Sequence, residues 1–109
     1  MIVSAIFGIK ARTIDDAKFL VESVSRLKAT ARFSDYYGVY YTFDVPTGDV
    51  ELISGVISDQ GEKYPAEPDF PNWNFLLRID RVESLVLHLE SIQASTESFQ
   101  QLSMNSNGT

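Results

Sequence analysis

A run of period-two alternation from Ala29 to Val45 constrains this chain more than any other feature. Ala29, Ala31 and Phe33 alternate with Thr30, Arg32 and Ser34. Beyond Asp35-Tyr36-Tyr37-Gly38, the residues Val39, Tyr41, Phe43 and Val45 alternate with Tyr40, Thr42 and Asp44. Alternation of this length, rich in aromatic and β-branched residues and broken by a polar, glycine-bearing stretch, predicts a β-hairpin with one buried face. The pattern assigns Phe33, Tyr41 and Phe43 to the core. Tyr36, Tyr37 and Tyr40 fall at the turn and on the second face.

The other segments arrange themselves around that hairpin. Ile2 to Lys10 is apolar on both faces, which predicts an interior strand. Thr13 opens a helix, with Asp15 and Asp16 in its first turn and a stripe of Ile14, Ala17, Leu20, Val21, Val24 and Leu27. In Val50 to Ser58 the apolar residues Val50, Leu52, Ile53, Val56 and Ile57 have helical spacing, although Gly55 costs a helix ~1 kcal/mol. Residues 60–73 hold three prolines and predict a loop. Phe75, Leu77 and Ile79 mark a fourth strand. Asp80 and Glu83 give a capping-box-like start to a last helix, with Val82, Leu85, Val86, Leu89 and Ile92 as its stripe.

The resulting order, β-α-β-β-α-β followed by a helix, predicts an α+β, ferredoxin-like sandwich with an additional C-terminal helix. Residues 1–94 form one domain on this reading, and 95–109 a polar, flexible tail. Ile2, Ile6, Tyr40 and Leu76 share the sheet face that two helices leave open. They are too apolar to stay wet as a group. The last helix is expected to cross that face, with a second subunit as the alternative cover.

Composition excludes several kinds of chemistry. There is no cysteine, so disulfides, thiolate catalysis and cysteine metal sites are ruled out. Such a chain suits a reducing cytoplasm. No apolar run approaches the roughly 20 residues that span a bilayer. The single histidine, His88, is read as lying on a solvated helix face. No serine has a visible base partner, no glycine-rich phosphate loop appears, and the acids lack calcium-loop spacing. The sequence therefore nominates no catalytic, cofactor-binding or metal-ligating residue.

Charge and aromatic placement point to recognition instead. The net charge is −6. Residues 43–75 carry seven acids against Lys63 alone, whereas residues 1–42 are net positive. A concentrated acidic field repels phosphate backbones and attracts basic surfaces. Asp44, Asp59, Glu62, Glu67 and Asp69 supply most of that charge. Tyr36, Tyr37, Tyr40, Tyr64, Phe70 and Trp73 stand among them as large contact groups with few torsions to freeze. These eleven residues are the candidate partner-binding set.

In size, acidity and segments such as EKYPAEPDFPNW, the chain resembles the bacterial immunity proteins that neutralise toxin domains, including those of contact-dependent growth inhibition. That resemblance implies a cytoplasmic inhibitor that occludes the active surface of a basic toxin domain, without a cofactor, nucleic acid or membrane. It implies a monomer when free, with a homodimer as the alternative state. Small ferredoxin-like chains also pair into dimeric α+β barrels resembling the antibiotic-biosynthesis monooxygenases, which gives a second, enzymatic reading.

Overall fold

The computed structural model describes residues 1–107. Val3, Ala5, Phe7 and Ile9 on one side of β1 (Ile2–Ile9) are all buried. As its two apolar faces require, β1 has a neighbour on each side: β7 (Phe75–Glu83) and β8 (Phe99–Asn107), both antiparallel. Next comes α1 (Ile14–Ser25). The Thr13 hydroxyl accepts the Asp16 N–H at 3.1 Å, and Asp15 and Asp16 complement the positive helix end.

The expected hairpin is present as β2 (Ala29–Ser34) and β3 (Gly38–Phe43), with Gly38 at φ +70° closing the turn. Tyr41 and Phe43 enter the core. The Tyr41 hydroxyl donates to Asp15 at 2.5 Å, tying β3 to α1. That bond, together with burial, pushes the Tyr41 pKa above its ordinary value. Phe33 departs from expectation: it is 72% exposed. It shares a face with Tyr41 but pairs with exposed Val39 at the turn end, while α1 leans on residues 49–54 and 89–94 instead.

Residues 50–58 do not form the helix that their spacing predicts. They form β4 (Asp49–Ser54) and β5 (Val56–Asp59). β4 lies between β3 and β7 and is covered on both faces, so adjacent Leu52 and Ile53 are both fully buried. Two-sided burial puts apolar residues side by side and imitates a helical stripe. The supposed loop also contains a strand, β6 (Glu62–Pro65), which pairs with β5. Gln60 and Gly61 link them, both in the left-handed region, as a two-residue turn matching strand twist requires.

The chain after β7 also differs from its reading. Asp80 does not cap a helix; it lies in β7 at a register shift, beside Arg81 at φ +54°. Two short helices follow, α2 (Ser84–Leu87) and α3 (Leu89–Ala94), broken at His88 in the left-handed region. His88 is exposed, and its Nδ1–H donates to the Ser25 carbonyl at 2.9 Å. Leu87 and Ile92 join Ala17 and Val21 in the core, so these helices lie on the α1 side and do not cross the second face. Residues 99–107 are strand β8, not tail, and buried Phe99 meets Phe7 edge-on at 6.5 Å. Residues 108–109 of the expected tail lie outside the described residues.

The sheet order is β2-β3-β4-β7-β1-β8, antiparallel throughout, with β5–β6 as a separate ribbon. The α+β class stands. The six-stranded sheet departs from the four-strand ferredoxin-like order. No helix among the described residues is long and apolar enough to cross a membrane.

The second face is partly closed by the chain itself. A Cβ on Gly8 would meet the Trp73 ring at 2.2 Å, so the indole lies directly on that glycine. Ile53 and Leu76, on the same face, are completely buried. The excursion through residues 55–74 occupies the place where the sequence suggested a helix or a second subunit.

Candidate partner-binding surface

Two turns distant in sequence meet at one end of the molecule. The Ser34 hydroxyl accepts the N–H groups of Tyr36 and Tyr37 at 3.0 and 3.4 Å and fixes the β2–β3 turn. The Ser58 N–H donates to the Tyr36 carbonyl at 3.0 Å and joins the β5–β6 ribbon to that turn. At this shared tip Tyr36 is 55% and Tyr64 44% exposed. Asp59, Glu62 and Asp69 on the same excursion are exposed as well. The Tyr64 hydroxyl donates to the Glu62 carboxylate, which raises the Tyr64 pKa. The tip therefore presents carboxylates and rings together.

Beneath it sits Arg78, at the centre of β7. Its guanidinium donates to Glu51 at 3.0 Å, to Glu67 at 3.3 Å and to the Tyr37 hydroxyl at 3.3 Å. Its Cζ also lies 5.7 Å from the Tyr37 ring centroid, and Tyr37 meets Tyr40 edge-on at 5.7 Å. Burial disfavours the cation, but Glu51 and Tyr37 outweigh it, and the Arg78 pKa lies above its ordinary value. Glu51 is cross-strand from Arg78 in the β4–β7 register, whereas Glu67 reaches in from the excursion. One arginine thus clamps the excursion onto the sheet.

This geometry divides the eleven candidates. Tyr36, Asp59, Glu62 and Tyr64 are exposed around the tip, and Asp69 is exposed further along the excursion. Tyr37, Tyr40, Glu67, Phe70 and Trp73 are half-buried, and Glu67 already has a cationic partner. Phe70 is held by its N–H on the Glu67 carbonyl at 2.9 Å. Asp44 lies at the opposite end of the sheet, its N–H bonded to the Lys28 carbonyl. Beyond Arg78 the second face opens into a groove of about 540 Å³ lined by Ser4, Asp49, Glu51, Arg78 and Asp80.

Sequence reasoning missed Arg78 and Glu51 as an organising pair. The signal was there: a charge at the centre of the apolar run Leu76-Leu77-Arg78-Ile79 needs an opposite charge nearby, and Val50-Glu51-Leu52-Ile53 supplies one. Among the described residues, no group of three or more His, Asp or Glu side chains is placed to hold a metal ion. No family model, curated protein or solved structure matches the chain.

Proposed function

We propose that this chain is a protein-binding module that receives a basic partner at the tip, neutralising it by occlusion as the immunity proteins it resembles do with toxin domains. The supporting observation is the Ser58–Tyr36 bond, which gathers exposed carboxylates and rings from two turns onto one end. Acidic side chains around a ring-bearing centre accelerate encounter with a cationic surface, while the rings provide contact area. The Arg78 clamp and the Trp73–Gly8 contact hold this surface in place before binding, which reduces the ordering cost of association. The dimeric barrel reading would need the second sheet face for subunit pairing, and Trp73 lying on that face favours the binding module.

The test is a low-salt pull-down from the native host with the wild type and an Asp59→Lys/Glu62→Lys/Asp69→Lys variant. The wild type retains a basic protein. The variant binds it at least about tenfold more weakly, with its melting temperature within roughly 4 °C of wild type, because these side chains are exposed. Retention of the same partner by the variant, or of no basic partner by the wild type, contradicts the proposal.

A further inference from the structure

The outer side of β8 carries a pattern that the tip does not use. Lys10 N–H donates to the Ser98 carbonyl at 2.9 Å, which sets the hydrogen-bond alternation along the β1–β8 pair. With the observed register, Gln100 bonds inward to Gly8, and Ser103 and Asn105 bond inward to Ile6 and Ser4. The register shifts by one residue between Gln101 and Ser103, leaving Leu102 as the bulge. The backbone groups of Phe99, Gln101, Met104 and Ser106 therefore point away from the sheet. They are symmetric about the bulge. Turned by half a revolution, the strand sets Phe99 opposite Ser106 and Gln101 opposite Met104.

We propose that β8 pairs antiparallel with β8 of a second copy of this chain, making one continuous sheet across a two-fold axis. Three further observations support that occupant. Natural edges are protected by charge, proline or shortness. β8 is nine residues long and has neither charge nor proline, whereas the opposite edge, β2, has six residues and carries Arg32. A chain of charge −6 repels its own copy over most of its surface, and an uncharged strand is where a like molecule can approach. Along the helix side of this edge runs a cleft of about 490 Å³ whose apolar lining is Leu85, Leu89 and Met104, with His88 and Glu90 beside them, and Leu85 is 82% exposed. A two-fold normal to the sheet puts the α2–α3 segments of both copies on one face, where that apolar surface gains cover. The tip is built from other elements, so the dimer carries two separate partner surfaces.

Sedimentation of the whole chain over a concentration series tests this, and the expected mass is twice 12.2 kDa. A Gln100→Lys/Asn105→Lys variant places like charges opposite each other at two points across the axis and is expected as a monomer with an unchanged circular dichroism spectrum, since both positions are exposed, and with a melting temperature that, unlike the wild type's, does not rise with concentration. Gln100 and Asn105 of the two copies form non-hydrogen-bonded pairs, with Cα atoms about 4.5 Å apart, inside the disulfide range. A Gln100→Cys/Asn105→Cys variant is therefore expected to cross-link into a covalent dimer under oxidation, whereas Gln100→Cys alone is not. A wild type that stays monomeric, a dimer that survives the lysine pair, or a dimer without the cysteine cross-link overturns the proposal.

Discussion

Gly55→Ala is expected to lower the unfolding free energy by about 3 kcal/mol, more than a typical surface substitution by a wide margin. The cause is backbone contact. A Cβ at Gly55 would sit 1.7 Å from the Trp73 carbonyl oxygen and 2.8 Å from its carbon, and neither is the end of a flexible side chain. Relief requires the β4–β5 link to move away from residues 73–74. That motion breaks the Gly55 N–H bond to the Asn74 carbonyl at 2.7 Å and the Ala66 N–H bond to the Gly55 carbonyl at 2.8 Å. The first bond closes the base of the excursion beside the sheet, and the second ties the ribbon to that base. Thermal denaturation followed by circular dichroism should show a drop of roughly 15 °C, and near-ultraviolet signal from Trp73 should weaken. A loss below about 1 kcal/mol would mean that the excursion is not seated where Trp73 and Gly55 place it.

Arg78→Met is expected to cost about 2 kcal/mol. The methionine retains most of the apolar stem, so the loss reports the charge and its bonds more than packing. Glu51 and Glu67 are then left half-buried and side by side without their shared cation. Full burial would make the loss larger; the remaining solvent contact of all three side chains screens it. Adding Glu67→Gln to Arg78→Met should recover part of the loss, with a coupling energy of about 1 kcal/mol by double-mutant cycle in urea. Arg78→Lys should fall between wild type and methionine, because an ammonium lacks the planar fork that serves two carboxylates and a phenol at once. Additivity of Arg78→Met and Glu67→Gln would mean that Arg78 does not clamp the excursion through Glu67.

Much of this architecture is legible in the residues, and the misses share a physical cause. The hairpin of β2 and β3 and the interior position of β1 follow from alternation and from two-sided apolarity. The same two-sidedness misleads at β4, where burial on both faces makes Leu52 and Ile53 adjacent and mimics a helix. β8 is hidden for the opposite reason. As an edge strand with little of its surface buried, Phe99-Gln100-Gln101-Leu102 has no apolar alternation to display. The break at His88 follows from its left-handed backbone and its bond to Ser25, a tertiary contact that no local pattern encodes. For the candidate surface, composition located the acidic excursion. It could not separate Glu67, consumed by Arg78, from Glu62 and Asp69, which face solvent. That separation depends on strand register, which the helical spacing of residues 50–58 conceals.

The chain folds its own excursion onto the second sheet face and so brings the acidic ribbon to the β2–β3 turn. Nuclear Overhauser contacts between the Trp73 ring protons and the Gly8 α-protons test it most directly. Strong contacts are expected, with the Gly8 α-protons shifted upfield by the indole lying on them. Ordinary Gly8 shifts, with Trp73 contacts confined to its sequence neighbours, would contradict it.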